Sequence, residues 1–109
     1  MVRIGLDVGE ARIGVAVSDE LGLVASPRMV IHSKGWGSDI AHVGELVSEV
    51  GAGEIVVGLP VNMNGTLGPA AAEVEEFCRR LRECVSVPVV TWDERLSTAQ
   101  ASRVLIEAD

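Results

Sequence analysis

Two β-rich runs, Val2 to Val8 and Ile13 to Val17, are separated only by Gly9-Glu10-Ala11-Arg12. A parallel crossover needs about a dozen residues or more, so a link this short makes the two runs antiparallel hairpin partners. A third β-rich run, roughly Leu23 to His32, follows closely and contains Pro27, which suits an edge strand or a bulge better than a central position. The chain therefore opens as a three-stranded antiparallel meander. Inside the first run stands Asp7, a carboxylate that a hairpin does not require.

After Lys34-Gly35-Trp36-Gly37 the apolar period changes. Ile40, Val43, Leu46, Val47 and Val50 recur at helical spacing, with Ser38 as the expected N-cap and Gly51 where a left-handed C-terminal residue belongs. Glu54 to Pro60 is a short continuous apolar run, as in a strand covered on both faces. Gly58 to Pro69 is loop-like, Pro69 suits a first helical position, and Val74, Phe77, Cys78, Leu81 and Val85 form a second helical stripe. Val87 to Trp92 reads as another strand, and Ser97 with Gln100 forms a capping box before a last helix with Ala101, Val104, Leu105 and Ala108 on its apolar side. The order β-β-β-α-β-α-β-α predicts one α/β domain, a five-stranded mixed sheet with the first strand central and helices on both faces.

A chain of 109 residues has room for one core, and with 3% aromatic residues that core is aliphatic. The formal charge of −7 opposes tight binding to a phosphate backbone and, taken alone, argues against a nucleic-acid protein. Cys78 and Cys84, six residues apart on one helix, are about 9 Å apart along its axis and cannot bridge each other. Reduced thiols, no secretory signal pattern and no bilayer-length apolar run make the cytoplasm the expected location, with no membrane partner.

Asp7 falls near the C-terminal end of the central strand, where open α/β sheets place ligands. Either it bonds to the turn amides of Gly9 and Glu10, or it meets a cation. Asp93 and Glu94 follow a strand expected to run parallel to the first and so emerge at the same sheet edge. Such carboxylates suit a hard cation, Mg²⁺ or Mn²⁺, although a solvated helix-entry cluster has the same pattern. The Gly58 to Pro69 loop, with Asn62 and Asn64, leaves at that edge and can approach a phosphate, but it has no Walker lysine. His32 and His42 read as surface residues, Arg79, Arg80 and Arg82 as a salt-bridged helix face, and Trp36 either as a base-stacking residue or as a loop pin.

Three blocks, GLDVGEARIGVAVSD, IVVGLPVNMNGTLGPAA and PVVTWDERLSTAQA, together resemble the YqgF family of RuvC-like, Holliday-junction-resolvase-type proteins, also described as pre-16S rRNA nucleases. The resemblance implies an RNase H-like fold and a metal-dependent nuclease acting on precursor rRNA or branched DNA, with the ribosome as a further partner and a homodimer left open. It implies that Asp7 and Glu94 are catalytic and hold Mg²⁺ or Mn²⁺, with Asp93 beside them. It also implies that Arg12, Asn62, Gly65, Arg95 and Thr98, with Ser97, meet the substrate. Two departures stand out. Ala11 replaces a basic residue of the family, and the family continues past Leu105-Ile106-Glu107-Ala108-Asp109 with a basic stretch and a helix bearing a further acidic residue. A non-catalytic RNA-binding assembly factor and an actin-like nucleotide-binding regulator are the alternative readings.

Overall fold

The computed structural model describes residues 1–21 and 25–93. Its elements are β1 (Val2–Val8), β2 (Arg12–Ser18), β3 (Ala25–His32), α1 (Trp36–Val50), β4 (Ala52–Leu59), α2 (Pro69–Cys84) and β5 (Val89–Asp93). The sheet order is β3-β2-β1-β4-β5, antiparallel across β3, β2 and β1 and parallel across β1, β4 and β5. The central first strand and the mixed sheet are as expected. The helix expected to open at Ser97 lies outside the described residues.

Because strand side chains alternate, the strand register separates the two faces of the sheet. Ile4 and Leu6 pair with Val17 and Val15 on one side and with Ile55 and Val57 on the other, and Ile13 with Ile31, so these residues share a face. That face meets Val43 and Leu46 of α1 and Val74, Phe77 and Leu81 of α2 in one buried cluster. The helices touch each other and β4, and α2 also reaches β5. Each fully buried aliphatic side chain in such a core contributes about 1.5–3 kcal/mol. The opposite face carries Arg3, Gly5 and Asp7 from β1 beside Ser18, Ala16 and Gly14 from β2. There the buried Arg3 guanidinium donates to Glu54 Oε1 at 2.8 Å, and its backbone N–H donates to Ser18 Oγ at 2.7 Å.

Pro27 sits in the edge strand, and the register steps from Val15–Met29 to Ala16–Pro27, leaving Arg28 as the extra residue of a bulge. Edge strands carrying a proline and a bulge resist pairing with a further strand. Gly51 closes α1 in the left-handed conformation, φ 67°, with its N–H on the Val47 carbonyl, and Pro69 is the first residue of α2.

Ser38 does not cap α1. The helix begins two residues earlier, at Trp36, with Gly35 as its N-cap at φ 108°. Asp39, buried at 1% exposure, ties the first turn of the helix to the segment before it. Its carboxylate reaches back to accept from Ser33 Oγ at 2.6 Å and from the Lys34 N–H at 3.2 Å. Trp36 meets Phe77 edge-on at 5.7 Å and lies under the Arg80 guanidinium at 5.2 Å, so it pins α1 to α2. The basic cluster of α2 is a salt-bridged face: Arg79 pairs with Glu76 and Glu83, each at 2.8 Å, and Arg82 donates to the Val89 carbonyl. The Arg79 guanidinium in turn holds the exposed Glu76 carboxyl below its ordinary range.

Two outcomes follow from this packing. Asp39→Ala strands the Lys34 N–H and the Ser33 hydroxyl and lowers unfolding stability by about 1–3 kcal/mol, read as a shift of the urea midpoint. Cys78 is buried, and its thiol is pushed up by desolvation, whereas Cys84 is exposed. A thiol reagent therefore modifies Cys84 alone in the native protein and both cysteines after unfolding, counted by mass spectrometry.

Candidate active site

Asp7 lies one residue from the end of β1 on the face away from the helices, and it is exposed. Directly across, on β2, is Gly14, and one residue beyond the Leu6–Val57 pair β4 carries Gly58. The positions flanking the carboxylate on both sides thus have no side chain. A bulky polyanion can approach it at backbone distance.

The Asp7 carboxylate makes no hydrogen bond or ion pair among the described residues, so it does not cap the following turn. The Gly9 N–H donates instead to the Arg12 carbonyl at 2.9 Å and closes the hairpin. A Cβ on Gly9 would stand 2.9 Å from that carbonyl oxygen, which accounts for glycine there. Arg12, the first residue of β2, shares the face of Gly14 and therefore of Asp7. Its guanidinium is exposed and likewise has no ion-pair partner among the described residues.

The loop after β4 is built on itself. Val61 bridges Leu67, the Asn62 N–H donates to the Thr66 carbonyl, and the Gly65 N–H donates to the Asn62 carbonyl, with Gly65 at φ 86°. Asn62 Nδ2 donates to Thr66 Oγ1 at 3.1 Å, and Asn64 Oδ1 accepts from both the N–H and the hydroxyl of Thr66. Asn62 and Gly65 are thus parts of a stiff turn, and Thr66, which sequence reading passed over, is its hub. The Asn64-Gly65 pair was the available signal, since that dipeptide marks tight turns. The loop ends at Gly68, the N-cap of α2, whose first turn holds no acidic residue.

Asp93, the last residue of β5, pairs with Leu59, whereas Trp92 pairs with Gly58. By alternation Trp92 shares the face of Asp7, and Asp93 belongs to the helix-covered face. Asp93 is not free, and β4 separates its strand from β1, a span of about 9–10 Å. The described residues therefore do not bring Asp7 and Asp93 to one face. Glu94, Arg95, Ser97 and Thr98 lie outside the described residues. Among the described residues no three His, Cys, Asp or Glu side chains form a metal-holding group. Asp7 itself fits a hard cation: it is an exposed oxygen donor, committed to no other group, beside two positions without side chains.

Over residues 1–109 the sequence matches the family described as RuvX: Holliday junction resolvase. The chain belongs to the RuvX family. A protein of Syntrophomonas wolfei named "Putative pre-16S rRNA nuclease" is 50% identical over 106 residues, covering 97% of this chain and 75% of that one. One of the same name from Geobacillus kaustophilus is 50% identical over 111 residues, covering 100% and 80%. The family resemblance seen in the three sequence blocks is thereby established, and it places this RuvX chain among hydrolases acting on nucleic acids.

Solved structures show the fold. Thermus thermophilus RuvC in complex with a Holliday junction substrate matches with a TM-score of 0.63 at 16% identity, over 99% of this chain and 77% of that one. The ROK hexokinase of the same organism matches with a TM-score of 0.61 at 21% identity, over 97% and 38%. The fowlpox virus Holliday junction resolvase matches with a TM-score of 0.52 at 13% identity, over 98% and 74%. The fold is RNase H-like. Because a resolvase and a sugar kinase match about equally well, backbone likeness does not choose between them; the sequence relatives of the RuvX chain do.

Gly9→Ala forces the hairpin carbonyl to move and lowers stability by about 1–3 kcal/mol. Gly14→Ala, whose added Cβ would meet the Asp7 Cβ at an ordinary 3.7 Å, changes it by less than about 1 kcal/mol. Urea unfolding of the two variants checks the contrast.

Proposed function

We propose that this RuvX-family protein is a divalent-metal-dependent phosphodiesterase that cuts structured nucleic acid, with precursor 16S rRNA as its substrate. The observation that carries this reading is the uncommitted carboxylate of Asp7 at the C-terminal end of the central strand, between Gly14 and Gly58. Asp7 and Glu94 would hold the Mg²⁺ or Mn²⁺ ion. Such an ion, when bound, supplies an activated water and neutralises charge on the leaving oxygen. Gly14 and Gly58 let the sugar-phosphate backbone come close to Asp7. Arg12, two residues from Gly14 on the same face, grips a non-bridging phosphate pair through its planar fork, an arrangement a lysine would not reproduce. Arg95 and Thr98 would join it on the substrate, and the stiff Asn62–Thr66 turn would border the site. Asp93 is assigned no ligand role in this reading, because its strand position faces the helices. Two free thiols suit a reducing, cytoplasmic location.

The test is cleavage of a structured RNA carrying the 16S 5′ flank, beside a four-way DNA junction, with Mg²⁺ or Mn²⁺. Asp7→Asn and Glu94→Gln each lower kcat/KM by at least about a hundredfold, or about 2.7 kcal/mol, with nucleic-acid binding retained. Cleavage that survives in both variants, or that proceeds after chelation of divalent ions, overturns the proposal. Cleavage of the junction alone would reassign the substrate.

A further inference from the structure

The chain carries a formal charge of −7, so any contact with phosphates must be local, and the ion pairing of the described residues shows where. Arg3 is tied to Glu54, Arg28 to Glu49, Arg79 to Glu76 and Glu83, Arg80 to Glu76, and Arg82 to the Val89 carbonyl. Four basic side chains among the described residues have no such partner: Arg12, His32, Lys34 and His42. His42 stands apart on α1. The other three lie together.

Arg12 and His32 are directly paired across β2 and β3, so both side chains project from the face that carries Asp7. Lys34 is two residues further on, and all three are exposed. Their backbone is fixed. The Ser33 N–H donates to the Ala11 carbonyl at 3.0 Å, stapling the end of β3 to the β1–β2 turn, and the Lys34 N–H is held by the buried Asp39. Across the sheet His32 on β3 is two strand spacings, about 10 Å, from Asp7 on β1, and it lies two residues, about 7 Å, further along the strand direction. The exposed carboxylate of Glu10 lies in the same turn and pairs with none of the three.

We propose that Arg12, His32 and Lys34 form a phosphate-binding strip that carries one flank of the nucleic acid away from Asp7, across β2 to the β3–α1 junction. The inference rests on the nuclease reading for its substrate class. It goes beyond that reading in assigning His32 and Lys34, and hence the direction in which the strand leaves the site. Arg12 grips the phosphate nearest Asp7, His32 donates a ring N–H to the next, and Lys34 meets the flank as a point charge. Because neither Arg12 nor Lys34 has to leave a carboxylate first, each contributes its full charge to displacing counterions.

The test is binding of a labelled four-way DNA junction and a labelled stem-loop RNA without divalent ions, followed by fluorescence anisotropy across a salt series. Lys34→Gln weakens binding severalfold and lowers the slope of log K against log salt by about 0.7–0.9, one phosphate contact, and His32→Gln weakens binding further. Arg28→Gln is the control: it makes the same charge change, on β3 six residues before Lys34, but at an arginine already paired with Glu49, and it leaves the slope unchanged. An unchanged slope in Lys34→Gln, an equal drop in Arg28→Gln, or no binding by the wild-type protein overturns the strip. The nuclease reading fails separately. Lys34-dependent binding without any cleavage sinks that reading and keeps the strip, and cleavage with Lys34-independent binding does the reverse.

Discussion

The closed turn between β1 and β2 sets everything that follows. The Gly9 N–H on the Arg12 carbonyl fixes which residue of β2 faces which residue of β1, and so places Gly14 opposite Asp7. Because strand side chains alternate with a period of two, a slip of one residue would turn Asp7 toward the helices and Leu6 toward solvent. Burial of Ile4, Leu6, Ile13 and Val15 against α1 and α2 therefore does two things at once. It stabilises the sheet, and it holds the carboxylate on the opposite face, exposed and without a partner among the described residues.

The acidity of the chain looks at first like an objection to a nucleic-acid function. Its distribution answers the objection. Most described arginines are neutralised locally, in the Arg3–Glu54 pair on the sheet and in the Glu76, Arg79, Glu83 ladder on α2. Of the described arginines and lysine, the side chains of Arg12 and Lys34 are left without a carboxylate or carbonyl partner, Arg12 on the face of Asp7, and long-range attraction from the whole molecule is not required where a few fixed charges meet the backbone at contact distance. An acidic chain with a local basic strip should bind weakly in general and select where it binds.

Much of the fold was legible because local chemistry and packing agree. A four-residue link permitted only a hairpin, Pro27 belonged at an edge, Gly51 ended a helix, and Pro69 began one. What the sequence did not show is decided by tertiary contacts. Ser38 had the chemistry of an N-cap, but the cap is Gly35, three residues sooner, at a positive φ of 108° that serine does not favour. Asp93 emerges at the same edge as Asp7, as expected of a strand parallel to β1. A continuous apolar run such as Val87 to Trp92 shows no alternation, however, and only its pairing with β4 reveals that Trp92, not Asp93, shares the face of Asp7. For Asp7 the sequence offered two readings, a turn ligand or a cation ligand, and the first finds no hydrogen bond among the described residues, the Gly9 N–H going to Arg12 instead.

What remains is an exposed carboxylate with no partner among the described residues, to which the proposed function gives a divalent ion. Calorimetric titration of Mn²⁺ into the wild-type protein and into Asp7→Asn, with both shown to be folded by their urea midpoints, tests that claim most directly. Saturable binding by the wild type and at least a tenfold loss of affinity in the variant are expected. Equal affinities in the two proteins would show that Asp7 holds no ion.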